Sequence, residues 1–143
     1  MLFFNKDAYY RDFASATLKK LLLGLVVRTG ARAFKDPALE IITYIKEHYH
    51  ERILAKDVAV LFNFHPNHLN RLVKLATGKG FKDYLIFYRI KVAKDMLVST
   101  SESVTEISEA CGFTTASYFA ELFTRQEGMS PREYRRAAKA SIV

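Results

Sequence analysis

Cysteine occurs once in the 143 residues, at Cys111. A lone thiol excludes an internal disulfide and a Cys-based zinc site, and it points to a reducing compartment such as a bacterial cytosol or a nucleus. Long apolar runs are also missing. The run LLLGLVV at residues 21–27 is seven residues long, far short of the ~20 needed to cross a bilayer. No Gly-rich phosphate loop, no nucleophile with a base at hand and no carboxylate pair with a place to work stands in the chain, which argues against an enzyme. Disorder is excluded by composition, because half of the residues are hydrophobic.

Acidic residues are in the minority. The net charge is +7, which favours a polyanionic partner. Lys and Arg outnumber Asp and Glu by seven to three in residues 1–36 and by ten to six in 37–98, then fall to five against six in 99–143. The basic character therefore belongs to the first two thirds of the chain.

The apolar spacing predicts helices throughout. Phe13, Thr17, Leu18, Leu21, Leu22 and Leu25 recur at three- and four-residue intervals, so Tyr9 to Arg28 reads as one amphipathic helix, followed by the linker RTGARAFKD. KK, LLLGLVV and ARA imitate a secretory leader, but eighteen residues precede the lysines and Arg28 follows the apolar run. Asp36-Pro37 supplies a cap and an N1 proline for a helix through His50, with Leu39, Ile42, Ile45 and Tyr49 on its apolar face. A short helix from Ala55 to Phe62 should bury Val58, Ala59, Leu61 and Phe62, with Leu54 as a poor cap. Asn63 tolerates a left-handed backbone, and the next helix starts at Pro66 and stops at Gly78.

Residues 81–98 carry two apolar stripes, Phe81, Leu85, Tyr88 and Val92 on one side and Ile86, Ile90, Ala93 and Leu97 on the other. A surface helix needs one stripe; two mark a connector with a lobe at each end. Ser103-Val104-Thr105-Glu106 and Ser130-Pro131-Arg132-Glu133 both fit the capping box. Between them Gly112 should reverse the chain, Phe113 insert beneath the turn and Thr114 cap the following helix.

The two halves repeat. Val58 aligns with Ile107 at an offset of 49 that holds through Asn63 and Gly112; after one inserted residue the offset becomes 50, pairing Leu69 with Phe119, Leu72 with Leu122, Val73 with Phe123, Gly78 with Gly128 and Tyr84 with Tyr134. Each copy is a short helix, a tight turn and a second helix, the helix-turn-helix unit, whose second helix enters the major groove. The copies cover about residues 54–78 and 103–128, with the connector at 81–98.

Over about residues 37–140 the chain resembles the AraC/XylS family of bacterial transcription regulators, through RIKVAKDML (89–97), VTEISEACGF (104–113), SYF (117–119) and Gly-Met-Ser-Pro-x-x-Tyr-Arg (128–135). The resemblance implies an all-α, homeodomain-like, AraC-type fold: seven helices in two helix-turn-helix lobes joined by a long connecting helix, in a bacterial cytoplasm. Both recognition helices would then enter successive major grooves on one face of double-stranded DNA. RNA polymerase is a further candidate partner. The family usually places this module behind a sensor and dimerisation domain. Residues 1–36 look like the tail of one, so a second copy pairing through Leu18, Leu21, Leu22 and Leu25 is another candidate partner. Because the connector is stiff, some bending of the duplex is expected, at about 1 to 6 kcal/mol.

In the first recognition helix Leu69, Leu72, Val73 and Ala76 should face the core, leaving Asn67, His68, Asn70, Arg71 and Lys74 for DNA. Arg suits guanine O6/N7 and Asn suits adenine N6/N7, while Lys74 suits phosphate. In the second, Phe119, Leu122 and Phe123 should be core, and Thr115, Ala116, Ser117, Ala120, Glu121, Thr124 and Arg125 exposed. The family often carries Arg and Lys where Glu121 and Thr124 stand, so the second lobe should add less phosphate attraction. Arg89 and Arg135 could meet phosphate or bridge helices. His48-x-His50 and His65-x-x-His68 imitate metal pairs without acidic or Cys ligands at matching spacing, so no metal and no cofactor is expected. The competing reading from another class is a basic helical module for an acidic protein partner.

Overall fold

The computed structural model describes residues 36–141, which form seven helices and no strand. The helix expected over Tyr9 to Arg28, and any pairing through its leucines, lies outside the described residues. The helices are α1 (Pro37–His48), α2 (Ala55–Leu61), α3 (Pro66–Thr77), α4 (Phe81–Ser99), α5 (Val104–Ala110), α6 (Ala116–Glu127) and α7 (Pro131–Ala140).

Two cores form, and α4 contributes to both. Ile41, Ile45, Ile53, Val58, Ala59, Leu69 and Val73 close the first lobe together with Phe81, Tyr84 and Leu85 from the start of α4. Ile90, Ala93 and Leu97, further along the same helix, join Ile107, Cys111, Phe113, Phe119 and Phe123 in the second. Phe119 and Phe123 are fully buried, and side chains of this size each contribute about 1.5 to 3 kcal/mol on leaving water. The connector thus divides its burial along its length as well as around its circumference. Tyr84, which belongs to neither stripe, takes an inward place in the first core, and Val92, on the stripe of Phe81 and Leu85, packs on the second core.

Local chemistry sets most boundaries as expected. Ser103 accepts from the Glu106 N–H while Glu106 accepts from the Ser103 N–H, and Ser130 with Glu133 repeats the box. Leu54 caps α2 without a side-chain bond. Asn63 is left-handed at φ 58°, as are Gly78 and Gly128 behind the two recognition helices.

Five details differ from the sequence reading. α1 ends at His48, not His50, because the Glu51 N–H closes a tighter turn on the His48 carbonyl (3.0 Å). Its buried face is Ala38, Ile41 and Ile45, with Leu39 and Ile42 at its flanks, since the small Ala38 rather than the larger Leu39 turns inward. Leu61, expected in the core, is 65% exposed, because Phe62 behind it fills the space. Ala76 is exposed rather than buried, one position past the Leu69–Val73 face. The cap of α6 is Thr115, not Thr114: Thr115 Oγ1 accepts from the Tyr118 N–H at 3.0 Å.

Candidate nucleic-acid interface

α3 is held at its start. His65 caps its start by accepting from the Asn67 N–H through Nδ1 (3.1 Å), and Pro66 fixes the first turn. Leu69 and Val73 are fully buried and Leu72 is half-buried, which turns Asn67, His68, Asn70, Arg71 and Lys74 to the outside. These five share one exposed face, but they are not equally free. Asn70 Oδ1 accepts from the Phe81 N–H (2.9 Å), serving an otherwise unmatched donor at the start of α4. Asn70 therefore also ties the recognition helix to the connector, while its amide NH2 and the second lone pair of its oxygen stay open to a base edge. The His68 ring packs edge-on against Phe64, centroids 5.1 Å apart. Arg71 and Lys74 have no partner among the described residues, so both guanidinium and ammonium are available to an outside anion.

α6 presents a poorer surface. Ala116 and Ala120 are half-buried rather than exposed, because the Phe119 and Phe123 face draws them partly inward. Thr115 spends its hydroxyl on the cap, and the Thr124 hydroxyl donates to the Ala120 carbonyl (2.7 Å). Glu121 and Arg125, both well exposed, pair at 3.1 Å. Ser117 is exposed. Of the seven expected positions on this helix, the charged ones neutralise each other and two of the hydroxyls are occupied. A half-buried ion pair from Glu127 to Lys94 (3.2 Å) anchors the end of α6 on the connector, where Lys94 also lies over the Tyr134 ring.

Two side chains outside the expected set also face outward. Tyr118 is 39% exposed on α6, beside Phe113. Its aromatic type suggested core, which hid it. Arg132, Arg136 and Lys139 form an exposed basic row on α7, with no partner among the described residues; their four- and three-residue spacing was legible in REYRRAAK.

Both ambiguous arginines bridge helices. Arg89 donates from Nε to the Tyr49 carbonyl (2.7 Å) and from a terminal nitrogen to the Glu51 carbonyl (2.8 Å). Arg135 does the same in the second lobe, to Leu97 (2.9 Å) and Glu102 (2.6 Å). Each takes up free carbonyls at a helix end, Arg89 those that follow α1 and Arg135 those at and after the end of α4. The histidines are likewise engaged singly: His48 and His50 both turn to Glu51, at 3.0 and 3.7 Å. Among the described residues no group of three His, Cys, Asp or Glu side chains is placed to hold a metal ion, and no helix is long and apolar enough to cross a membrane.

A helix-turn-helix domain family profile matches residues 58–137. The HTH-type transcriptional regulator YobQ of Bacillus subtilis is 39% identical over 94 residues, 66% of this chain and 39% of that protein. YijO of Escherichia coli K12 is 36% identical over 123 residues, 85% of this chain and 43% of that protein. The chain therefore spans less than half the length of these two relatives. Among solved structures, the DNA-binding domain of the global transcriptional factor AdpA, in complex with a target DNA, superposes with a TM-score of 0.71 at 30% identity, over 75% of this chain and 96% of that one. The C-terminal domain of the response regulator AraT from Geobacillus stearothermophilus gives 0.69 at 30% identity, over 74% and 88%.

Proposed function

This chain belongs to the AraC-type helix-turn-helix family, and on that premise we propose that residues 37–143 bind double-stranded DNA sequence-specifically, as the DNA-reading part of a bacterial transcription regulator. α3 and α6 enter successive major grooves. The observation that carries this reading is the pair of three-helix lobes sharing one connector, each presenting a capped recognition helix with its apolar side buried. Arg71 is the leading base reader, by bidentate donation to guanine, and Lys74 the leading phosphate contact. Asn67 and His68 flank them, and Ser117 and Arg125 are the second-lobe candidates. Binding rather than catalysis is the activity, and RNA polymerase is the partner an activator requires; relatives 30 to 34% identical are described as the transcriptional activator RhaS.

Selection from random duplexes tests the reading. An asymmetric motif with two separated blocks is expected. Against the selected site, Arg71→Ala should cost about 1 to 3 kcal/mol and relax preference at one base pair. Equal retention of all duplexes would overturn sequence-specific binding.

A further inference from the structure

The two turns of the repeat use different residues for the same backbone conformation: Asn63 at φ 58° in the first lobe and Gly112 at φ 89° in the second. Backbone freedom alone does not require the difference, since Asn adopts the left-handed region readily. The surroundings do. A Cβ on Gly112 would lie 2.8 Å from the Tyr49 carbonyl oxygen and 2.9 Å from that of His50, closer than any carbon can sit without displacing backbone. Tyr49 and His50 follow α1, in the first lobe. The second lobe's turn is therefore pressed onto the first lobe's backbone.

Arg89 holds that backbone in place. It stands between the two cores on α4, grips the Tyr49 and Glu51 carbonyls from one side, and lies over the ring of Phe113, the residue next to Gly112, at 5.8 Å. Tyr88, its neighbour, meets the Tyr49 ring edge-on at 5.4 Å. Arg135, which makes the corresponding carbonyl bonds in the second lobe, stays within that lobe. The Arg89 junction thus links the lobes by a path other than the connector's own backbone.

We propose that Arg89 and Gly112, meeting at the Tyr49–His50 backbone, are positioning residues that fix the separation and rotation of the two recognition helices and so determine which spacing between half-sites the protein accepts. The proposal rests on the DNA-binding reading above. One base pair inserted between half-sites moves the second groove by about 3.4 Å and turns it by about a tenth of a revolution. A rigid junction refuses that displacement; a connector alone would flex toward it.

The test uses the full chain and three duplexes: the selected site, and the same site with one base pair added or removed between its two blocks. Wild type should prefer the selected spacing. Arg89→Lys, whose single ammonium cannot fork to two carbonyls, and Gly112→Ala should each shrink the ratio of affinities between correct and altered spacing by about two- to thirtyfold. Gly128→Ala is the control, because Gly128 shares the positive φ but has nothing within 4 Å of its virtual Cβ; it should lower stability and leave the ratio unchanged. Retention of the wild-type ratio by both Arg89→Lys and Gly112→Ala would overturn the proposal, as would an equal fall in Gly128→Ala. Should wild type prefer no duplex at all, the DNA-binding reading fails instead.

Discussion

Glu121 and Arg125 sit one turn apart on α6 with their charges 3.1 Å from each other. An exposed pair of this kind contributes little to stability, about 0 to 1 kcal/mol. Its consequence for DNA is larger, because the carboxylate repels phosphate and occupies the guanidinium that would attract it. We expect Glu121→Ala to tighten binding to every duplex alike and to steepen the salt dependence by about 0.9, one further phosphate contact, as Arg125 is released. The double variant with Arg125→Ala should lose the extra slope. A gain confined to non-specific duplex, with the selected site weakened, would show instead that Glu121 reads a cytosine. Deeper in the same lobe, burial pushes the Cys111 thiol up from 9.0 to about 12. In the folded chain it stays protonated where the unfolded thiol ionises, so the unfolded state binds fewer protons and stability falls as pH rises from about 9 towards 12. Burial acts in the same direction on Tyr84, also raised to about 12. Urea titrations across that range should show the decline, and Cys111→Ala should make it shallower whatever its effect at neutral pH.

At the scale of the helix, what proved legible was whatever a short stretch of chain dictates by itself. Ser103 and Ser130 form their boxes with residues three positions on, and Asn63, Gly78 and Gly128 take the conformation their own side chains permit. Misreadings arose where a neighbour decides. Leu61 reads as core by type but Phe62 takes the space, and the bond that Asn70 accepts from the α4 N-terminus was not foreseen. No spacing within α3 encodes a donor eleven residues away. Thr114 and Thr115 illustrate the ambiguity at its smallest, since either hydroxyl could cap by type and only the inserted residue in the turn selects the second. Thr115→Ala should therefore destabilise the fold by about 1 kcal/mol and Thr114→Ala by a few tenths at most. Chemical denaturation of the two variants separates them, and equal losses would return the cap to both residues.

Across the whole molecule, electrostatics is divided unevenly between two lobes of the same design. The basic excess lies before residue 99, and α3 offers Arg71 and Lys74 with no partner among the described residues, whereas α6 offers a single pair that cancels. The first lobe should therefore carry most of the counterion release and the second should act mainly by shape and position, with the basic row of α7 as its remaining phosphate attraction. Binding should weaken steeply with salt. Lys74→Ala should flatten the plot of log K against log salt by about 0.9, the yield of one phosphate contact, while weakening all duplexes to a similar degree. The same change at Arg132, Arg136 and Lys139 together should flatten it by less than three such steps, because each step requires a side chain that neutralises a phosphate of its own. An unaltered slope in Lys74→Ala would remove that residue from the phosphate contacts, and a drop of three full steps on neutralising α7 would make the second lobe, not the first, the electrostatic anchor.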